Sequence, residues 1–147
     1  MRTGKYGVQG NEEEIDVLIS MKNLVLVADA KCVHYSVEPI NYAEALKRLI
    51  EGCEQAIRKA DFIKNNPQYF NTLGDYSSKT IIPFVITNYP TFTGFSHKDV
   101  YIIDSHSFLA YIQSGIMTMR QLTLTINPIK RFKKFYYNED QFSNEFI

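Results

Sequence analysis

The chain has 147 residues, 16 basic and 16 acidic side chains, and a formal net charge of zero. This length suits one domain, and 45% hydrophobic with 22% charged residues are globular proportions that exclude wholesale disorder. The charge balance argues against coating of nucleic acid by bulk electrostatics. No apolar run is long enough for a membrane span, and the N-terminus has no apolar core like that of a secretory signal. Two cysteines make no disulfide framework. We therefore expect a single cytoplasmic domain over residues 1–147, with no membrane partner.

The first elements are predicted to be strands. Residues 1–13 are rich in glycine and acidic side chains and are interpreted as a loop or an irregular edge strand. Residues 14–20 and 24–31 are rich in Val, Ile and Leu, and a short polar step separates them. This pattern is typical of a β-hairpin.

A long helix is predicted after the hairpin. Asn41 and Glu44 have the spacing of a capping box, and apolar residues follow at helical spacing. Pro67 predicts the end of this helix, because the residue before a proline disfavours helical geometry.

Two further strands and a second helix are predicted next. Residues 80–87 are typical of a buried strand, and residues 100–103 of a shorter one. Asp104 or Ser105 is expected to cap a helix over residues 106–113. The order hairpin, helix, strand, strand, helix predicts the α/β class with a mixed sheet.

Charged residues in the hairpin indicate a functional site. Because strand side chains alternate, Glu14 and Asp16 are expected on one face, and Asp29 and Lys31 share a face of the next strand. Pairing of the two strands would bring Asp16 near Asp29. Two close carboxylates repel unless a cation neutralises them, and a hard divalent ion suits such oxygen ligands. The alternative is a salt-bridged group at a sheet edge that deters aggregation.

Asp16, twelve intervening residues and the step Asp29-Ala30-Lys31 resemble the PD-(D/E)xK signature of the restriction-endonuclease-like superfamily. The segments EID and VADAK are similar to the branch of Mrr-like restriction endonucleases and archaeal Holliday-junction resolvases. The resemblance implies a restriction-endonuclease-like mixed sheet flanked by helices. It also implies that Asp16, Asp29 and the Ala30 carbonyl bind Mg²⁺, with Mn²⁺ as a substitute. Lys31 would position the attacking water, and Glu14 would be an auxiliary acid.

The resemblance implies two more site features. Family members often place a glutamine of the crossover helix at the site, and Gln55 is the candidate here, with a helix-surface position as the alternative. The family usually has a preceding helix that supplies another glutamate, whereas the fifteen residues before Asp16 show no helical pattern. Either the chain is the later part of a longer polypeptide with further domains, or Glu12 or Glu13 replaces that acid, or the site is incomplete.

Basic residues are candidates for nucleic-acid contact. A run of cations and aromatic residues near the C-terminus could grip phosphates and stack bases, or could form a half-buried edge strand. Its basic members are Lys130, Arg131, Lys133 and Lys134. Arg58 and Lys59 are interpreted as helix surface, with contact to a DNA phosphate as the alternative. Residues 117–124 are compatible with a helix or a strand.

The sequence therefore predicts a Mg²⁺-dependent DNA endonuclease that hydrolyses phosphodiester bonds in restriction, defence or repair. The alternative is a catalytically incomplete nuclease-like domain that serves a larger protein as a nucleic-acid-binding or assembly module. Cleaving both strands of a duplex needs two sites, which favours a homodimer, although no residue identifies an interface. The form of the substrate is not indicated.

Overall fold

The computed structural model of the protein describes residues 2–34, 38–71, 76, 78–120, 130–134, 136–138 and 140–142, with the backbone alone for 116–120 and 130–133. Its strands are β1 (Arg2–Val8), β2 (Asn11–Ser20), β3 (Leu24–Lys31), β4 (Thr80–Thr87), β5 (Ser96–His97), β6 (Val100–Asp104), β7 (Ile116–Arg120) and β8 (Lys130–Lys134). Its helices are α1 (Pro39–Asn65) and α2 (Ser105–Ser114), with short 3₁₀ turns at Pro67–Tyr69 and Pro90–Phe92.

Strands β1 to β6 form one mixed sheet in the order β1-β2-β3-β4-β6-β5. The first three strands are antiparallel neighbours, whereas β4 runs parallel to both β3 and β6. Parallel neighbours need a crossover connection, and α1 provides it between β3 and β4. The α/β class and the predicted order of elements are confirmed, and residues 2–8 form an edge strand. The restriction-endonuclease-like fold stays a prediction.

Strand β3 lies inside the sheet and is covered on both faces. Val25 and Val27 pack with Ile63 of α1, whereas Leu26 packs with Phe108 of α2. We call these two sides the α1 face and the α2 face. Because the side chains of residues 24–28 each enter one of the two cores, this part of β3 is a continuous apolar run instead of an alternating one.

Helix α1 begins earlier than the sequence predicts. Its first residue is Pro39, so the capping box proposed at Asn41 is wrong; a proline suits the first turn because its missing N–H would have no helical partner. Its predicted end before Pro67 is confirmed, since Asn65 is the last helical residue. Its buried residues are Ala45, Leu49, Gly52, Cys53, Ala56, Lys59, Ala60 and Ile63. In the described part of the chain, no helix is apolar over a length that would cross a bilayer.

Strand β2 contains an extra residue relative to β1. Arg2 pairs with Leu18 and Gly4 pairs with Ile15, so three steps along β2 match two steps along β1. Such a bulge shifts the alternation of faces within the strand. Ile15 and Leu18 accordingly both pack on the α1 face, whereas Val17 packs on the α2 face.

Helix α2 is capped at both ends. Asp104 Oδ1 accepts a hydrogen bond from Ser107 N at 2.9 Å, and its Oδ2 accepts one from Thr93 Oγ1 at 3.0 Å. Burial raises the pKa of Asp104, but these hydrogen bonds outweigh that effect and hold the pKa below its usual 3.8. Gly115 ends the helix with a left-handed φ of 62°. The predicted helix is therefore confirmed, with Asp104 as its cap.

Strands β7 and β8 form a separate antiparallel pair. Residues 117–120 are thus strand, and the rest of the ambiguous segment, 121–124, lies outside the described residues. Lys134 is exposed, and its Nζ lies 4.0 Å from the centre of the Tyr137 ring. The side chains of Lys130, Arg131 and Lys133 lie outside the described residues, so their contact with nucleic acid stays a prediction.

We expect Asp104→Ala to lower the free energy of unfolding by about 1–2 kcal/mol, because α2 loses its N-terminal cap. The folded state lowers the pKa of Asp104, so this contribution is present above pH 3.8 and is lost as the pH falls through the folded value. Urea unfolding at about pH 7 and about pH 3 measures both effects. Asp61→Ala, at an exposed position of α1, is the control, and an equal loss from both substitutions at neutral pH would contradict the cap assignment.

Candidate active site

The carboxylates of Asp16 and Asp29 meet on the α1 face of the sheet. Strands β2 and β3 are antiparallel, with Val17 opposite Ala28, so Asp16, just before Val17, and Asp29, just after Ala28, lie at the same end of the ladder. Asp29 is buried, with 1% exposure, whereas the side chain of Asp16 is 32% exposed. The structure thus places the two acids together, as hairpin pairing predicts, and their role as metal ligands stays a prediction.

A lysine of α1 lies between these carboxylates. Lys59 Nζ is 2.9 Å from Asp16 Oδ2 and 2.5 Å from Asp29 Oδ1. Only 4% of Lys59 is exposed, which corrects its interpretation as helix surface or as a phosphate contact. The apolar residues at helical spacing did not reveal Lys59 in the sequence. The buried side of α1 is wider than the side that those residues mark, and it includes one charged side chain.

A second lysine contacts the other oxygen of Asp29. Lys31 Nζ lies 2.8 Å from Asp29 Oδ2 and donates a hydrogen bond to Gln55 Oε1 at 2.7 Å. Gln55 is half-buried, so its alternative position on the open helix surface is wrong. Its amide contacts the lysine of the D-x-K step, and it thereby links α1 to β3. We call Asp16, Asp29, Lys31 and Lys59 the charge cluster. Because β3 has neighbours on both sides in the sheet, the alternative of a salt-bridged group at a sheet edge is wrong in its location.

Hydrogen bonds shift the pKa values of Asp16 and Lys59 so that both side chains are charged. Burial raises the pKa of Asp16, but the Ala30 N–H at 2.9 Å and the Lys59 ammonium outweigh it and hold the pKa below 3.8. Burial lowers the pKa of Lys59, but hydrogen bonds to Asp29 and Asp16 outweigh it and raise the pKa above 10.5. Asp16 is therefore a carboxylate and Lys59 an ammonium at neutral pH.

Glu13, one of the acids expected to complete a metal site, is paired with an arginine. Within the residues that the structure describes, no three His, Cys, Asp or Glu side chains are grouped so that they could hold a metal ion. Glu13, one of the two proposed substitutes for the missing glutamate, accepts two hydrogen bonds from Arg58, both at 2.9 Å. This pair lies beside the charge cluster, because Arg58 directly precedes Lys59 on α1.

Glu14 does not share the face of Asp16. Glu13 contacts Arg58 of α1 and Ile15 packs on the α1 face, so the intervening Glu14 points to the other side of β2. The bulge then shifts the alternation and returns Asp16 to the α1 face. The expected position of Glu14 as an auxiliary acid beside Asp16 is therefore wrong.

Gly52 allows α1 to lie against the charge cluster. A Cβ atom at this position would be 3.0 Å from Lys31 Cγ and 3.2 Å from Asp29 Oδ2. Gly52, Gln55 and Lys59 follow one another at helical spacings of three and four, so they occupy one side of α1. This spacing is the sequence signal that could have identified Lys59, which lies one turn beyond the glutamine candidate.

Asn88 fixes the chain directly after β3. Its Oδ1 accepts a hydrogen bond from Val33 N at 2.8 Å, and its Nδ2 donates to Val33 O at 3.0 Å. The side chain thus continues the pairing of β3 with β4 beyond Lys31 and Thr87. Sequence reasoning missed this role, because a loop asparagine after a strand carries no information about a partner 55 residues away.

No family model, curated protein or solved structure matches this chain. The assignment to the PD-(D/E)xK superfamily therefore remains a prediction from the motif and the order of elements.

We expect Gly52→Val to lower the free energy of unfolding by about 1–3 kcal/mol, because the added atoms collide with Lys31 and Asp29 in a packed region. Thermal and urea unfolding measure the change. Lys47→Val is the matched control, since it places the same β-branched residue at an exposed position of α1. A Gly52→Val protein as stable as the control would show that α1 does not press on the cluster.

Proposed function

We propose that this chain is a Mg²⁺-dependent endonuclease that hydrolyses phosphodiester bonds in DNA. The observation that carries the proposal is the convergence of Asp16 and Asp29 on one cationic group, Lys59 Nζ. Carboxylates that both contact one ammonium are also within reach of one small metal ion. Mg²⁺ in proteins is commonly held by one or two carboxylates, with substrate phosphates and waters as the remaining ligands.

The donor atoms fit a hard cation by their type. Asp29 Oδ2 is buried and accepts no hydrogen bond within the described residues, although Lys31 Nζ is only 2.8 Å away. Asp16 and Asp29 supply carboxylate oxygens, and the backbone carbonyl of Ala30 is the third member of the predicted set. These three residues would hold Mg²⁺ or Mn²⁺, and Lys59 is the group that has to leave the space between the carboxylates.

Lys31 acts on the attacking water and the phosphate in this proposal, and Gln55 holds Lys31 in position. A bound divalent ion would polarise the phosphate and lower the pKa of a water molecule. Lys31 then orients the attacking water and stabilises the negative charge that develops on the phosphate oxygens. The 2.7 Å hydrogen bond from Lys31 Nζ to Gln55 Oε1 holds the ammonium in position before the substrate binds.

Local basic groups have to carry the contact with DNA, because the net charge of the chain is zero. The side chain of Arg58 is 60% exposed beside the charge cluster, and a phosphate could compete with Glu13 for its guanidinium. Lys134 is a second exposed cation, on the small sheet. A homodimer, which would supply a second site for the second strand, belongs to the same proposal.

We expect Asp29→Asn and Lys31→Ala each to reduce cleavage of supercoiled plasmid in Mg²⁺ or Mn²⁺ by at least about 100-fold, because each removes a group that acts on the reacting phosphate or water. Gel-based nicking and linearisation assays measure the rate. Lys47→Ala is the control, since Lys47 lies on the exposed side of α1, away from the cluster.

Circular dichroism of each variant separates lost chemistry from lost folding. If folded Asp29→Asn and Lys31→Ala proteins cleave plasmid as fast as the Lys47→Ala control, the charge cluster is not the active site. If the unaltered chain cleaves nothing in either metal, the endonuclease proposal fails.

A second function is favoured by one specific observation. Lys59 is itself a buried cation that contacts both carboxylates, so the charge cluster is neutral without a metal ion. A nuclease-like domain in which this lysine stays in place would be a binding or assembly module of a larger protein. Calorimetric titration of the unaltered chain with Mn²⁺ distinguishes the two functions, since the module would bind no ion at millimolar concentration.

A further inference from the structure

We infer that Lys59 is an internal competitor of the metal ion: its ammonium fills the cation position between Asp16 and Asp29, and a divalent ion binds only when this side chain leaves. The inference rests on the metal site of the proposed function and deepens it. It assigns to Lys59 control over metal affinity, a role outside the expected D-x-K residues.

The Lys59 ammonium occupies the space in which a bridging metal ion would bind. Its Nζ lies within 2.9 Å of one oxygen of each carboxylate, which is hydrogen-bonding distance to both. An ion that bridged the same two side chains would have to enter the space that this ammonium fills. Two positive groups cannot share that space, because their repulsion in a poorly solvated site is large.

The contact between Lys59 and Asp29 is buried, whereas Asp16 is partly exposed to solvent. The side chain of Lys59 is 6% exposed and that of Asp29 is 1% exposed, so water screens their contact poorly. Asp16 is the open member of the cluster, with 32% of its side chain exposed. An incoming ion would therefore reach Asp16 first and displace Lys59 from Asp29 afterwards.

The net charge of the charge cluster also opposes metal binding while Lys59 is in place. Lys31 and Lys59 already neutralise Asp16 and Asp29, so a divalent ion added to the intact cluster would leave two excess positive charges in a buried region. Removal of the Lys59 charge leaves the two carboxylates with Lys31 alone. One excess negative charge then attracts a divalent ion, and the two acids cease to repel each other once it is bound.

The test is the affinity for Mn²⁺ of the folded chain, measured by isothermal titration calorimetry. We expect Lys59→Met to bind Mn²⁺ at least about tenfold more tightly than the unaltered chain, because one opposing charge is gone from the cation position. Lys59→Arg keeps the charge and should bind as weakly as the unaltered chain. Lys59→Met combined with Asp16→Asn should lose the gain, since one of the two carboxylates is neutral.

The thermal midpoint of unfolding is a second measurement. Lys59→Met should unfold at a lower temperature than the unaltered chain without metal, and Mn²⁺ should raise its midpoint more than that of the unaltered chain. If Lys59→Met is unfolded without metal, Lys59→Gln replaces it in the affinity measurement. For any variant that is unfolded without metal, recovery of the native circular dichroism spectrum on addition of Mn²⁺ supports the inference. Equal Mn²⁺ affinity in the unaltered, Lys59→Met and Lys59→Gln proteins overturns it, as does failure of Mn²⁺ to restore unfolded variants.

Failure of this inference can be distinguished from failure of the proposed function. Tight Mn²⁺ binding by Lys59→Met with no plasmid cleavage by the unaltered chain supports competition and overturns the nuclease proposal. Plasmid cleavage by the unaltered chain, with no change in Mn²⁺ affinity on Lys59→Met, supports the nuclease proposal and overturns competition.

Discussion

The ammonium of Lys59 joins three elements of the molecule at one point, since it contacts Asp16 of β2 and Asp29 of β3 from its own place on α1. Carboxylates in a sheet interior lose much of their hydration, and this loss has to be offset by partners of opposite charge. Here both oxygens of Asp29 lie beside an ammonium, because Lys31 Nζ is 2.8 Å from the oxygen that Lys59 does not contact. The packing of α1 on the sheet and the ionisation of the cluster therefore depend on each other.

Several features elsewhere in the chain make this meeting possible. The bulge in β2 returns Asp16 to the α1 face after Ile15 has already packed there. Gly52 removes the side chain that would otherwise keep α1 away from Lys31. Asn88 continues the pairing of β3 with β4 beyond the last residue of the strand, which holds the end of β3 in place. Together these features set the positions of the four charges.

The two candidate functions differ in what neutralises the carboxylates. In an endonuclease, Lys59 gives way to a metal ion that acts on a phosphate, and Lys31 and Gln55 keep their places beside it. In a binding module, the lysine remains and the cluster serves only to fasten α1 to the sheet. The same arrangement of side chains accommodates both functions, because an ammonium and a small divalent ion require similar oxygen donors and differ in charge. The charge of residue 59 is therefore the property that separates them.

Local patterns in the sequence determined most of the secondary structure. Apolar runs, turn residues and prolines predict the hairpin, the end of α1, the strand at 80–87 and a helix cap at Asp104 or Ser105, because these depend on residues close together in the chain. The period of two along a strand also puts Asp29 and Lys31 on one face. The bulge that separates Glu14 from Asp16 and the partnership of Lys59 with Asp29 were decided only by the tertiary structure. Strand register and the packing of α1 arise from contacts between distant segments, and Lys59 follows Asp29 by 30 positions, which is too far for a local pattern to record their contact.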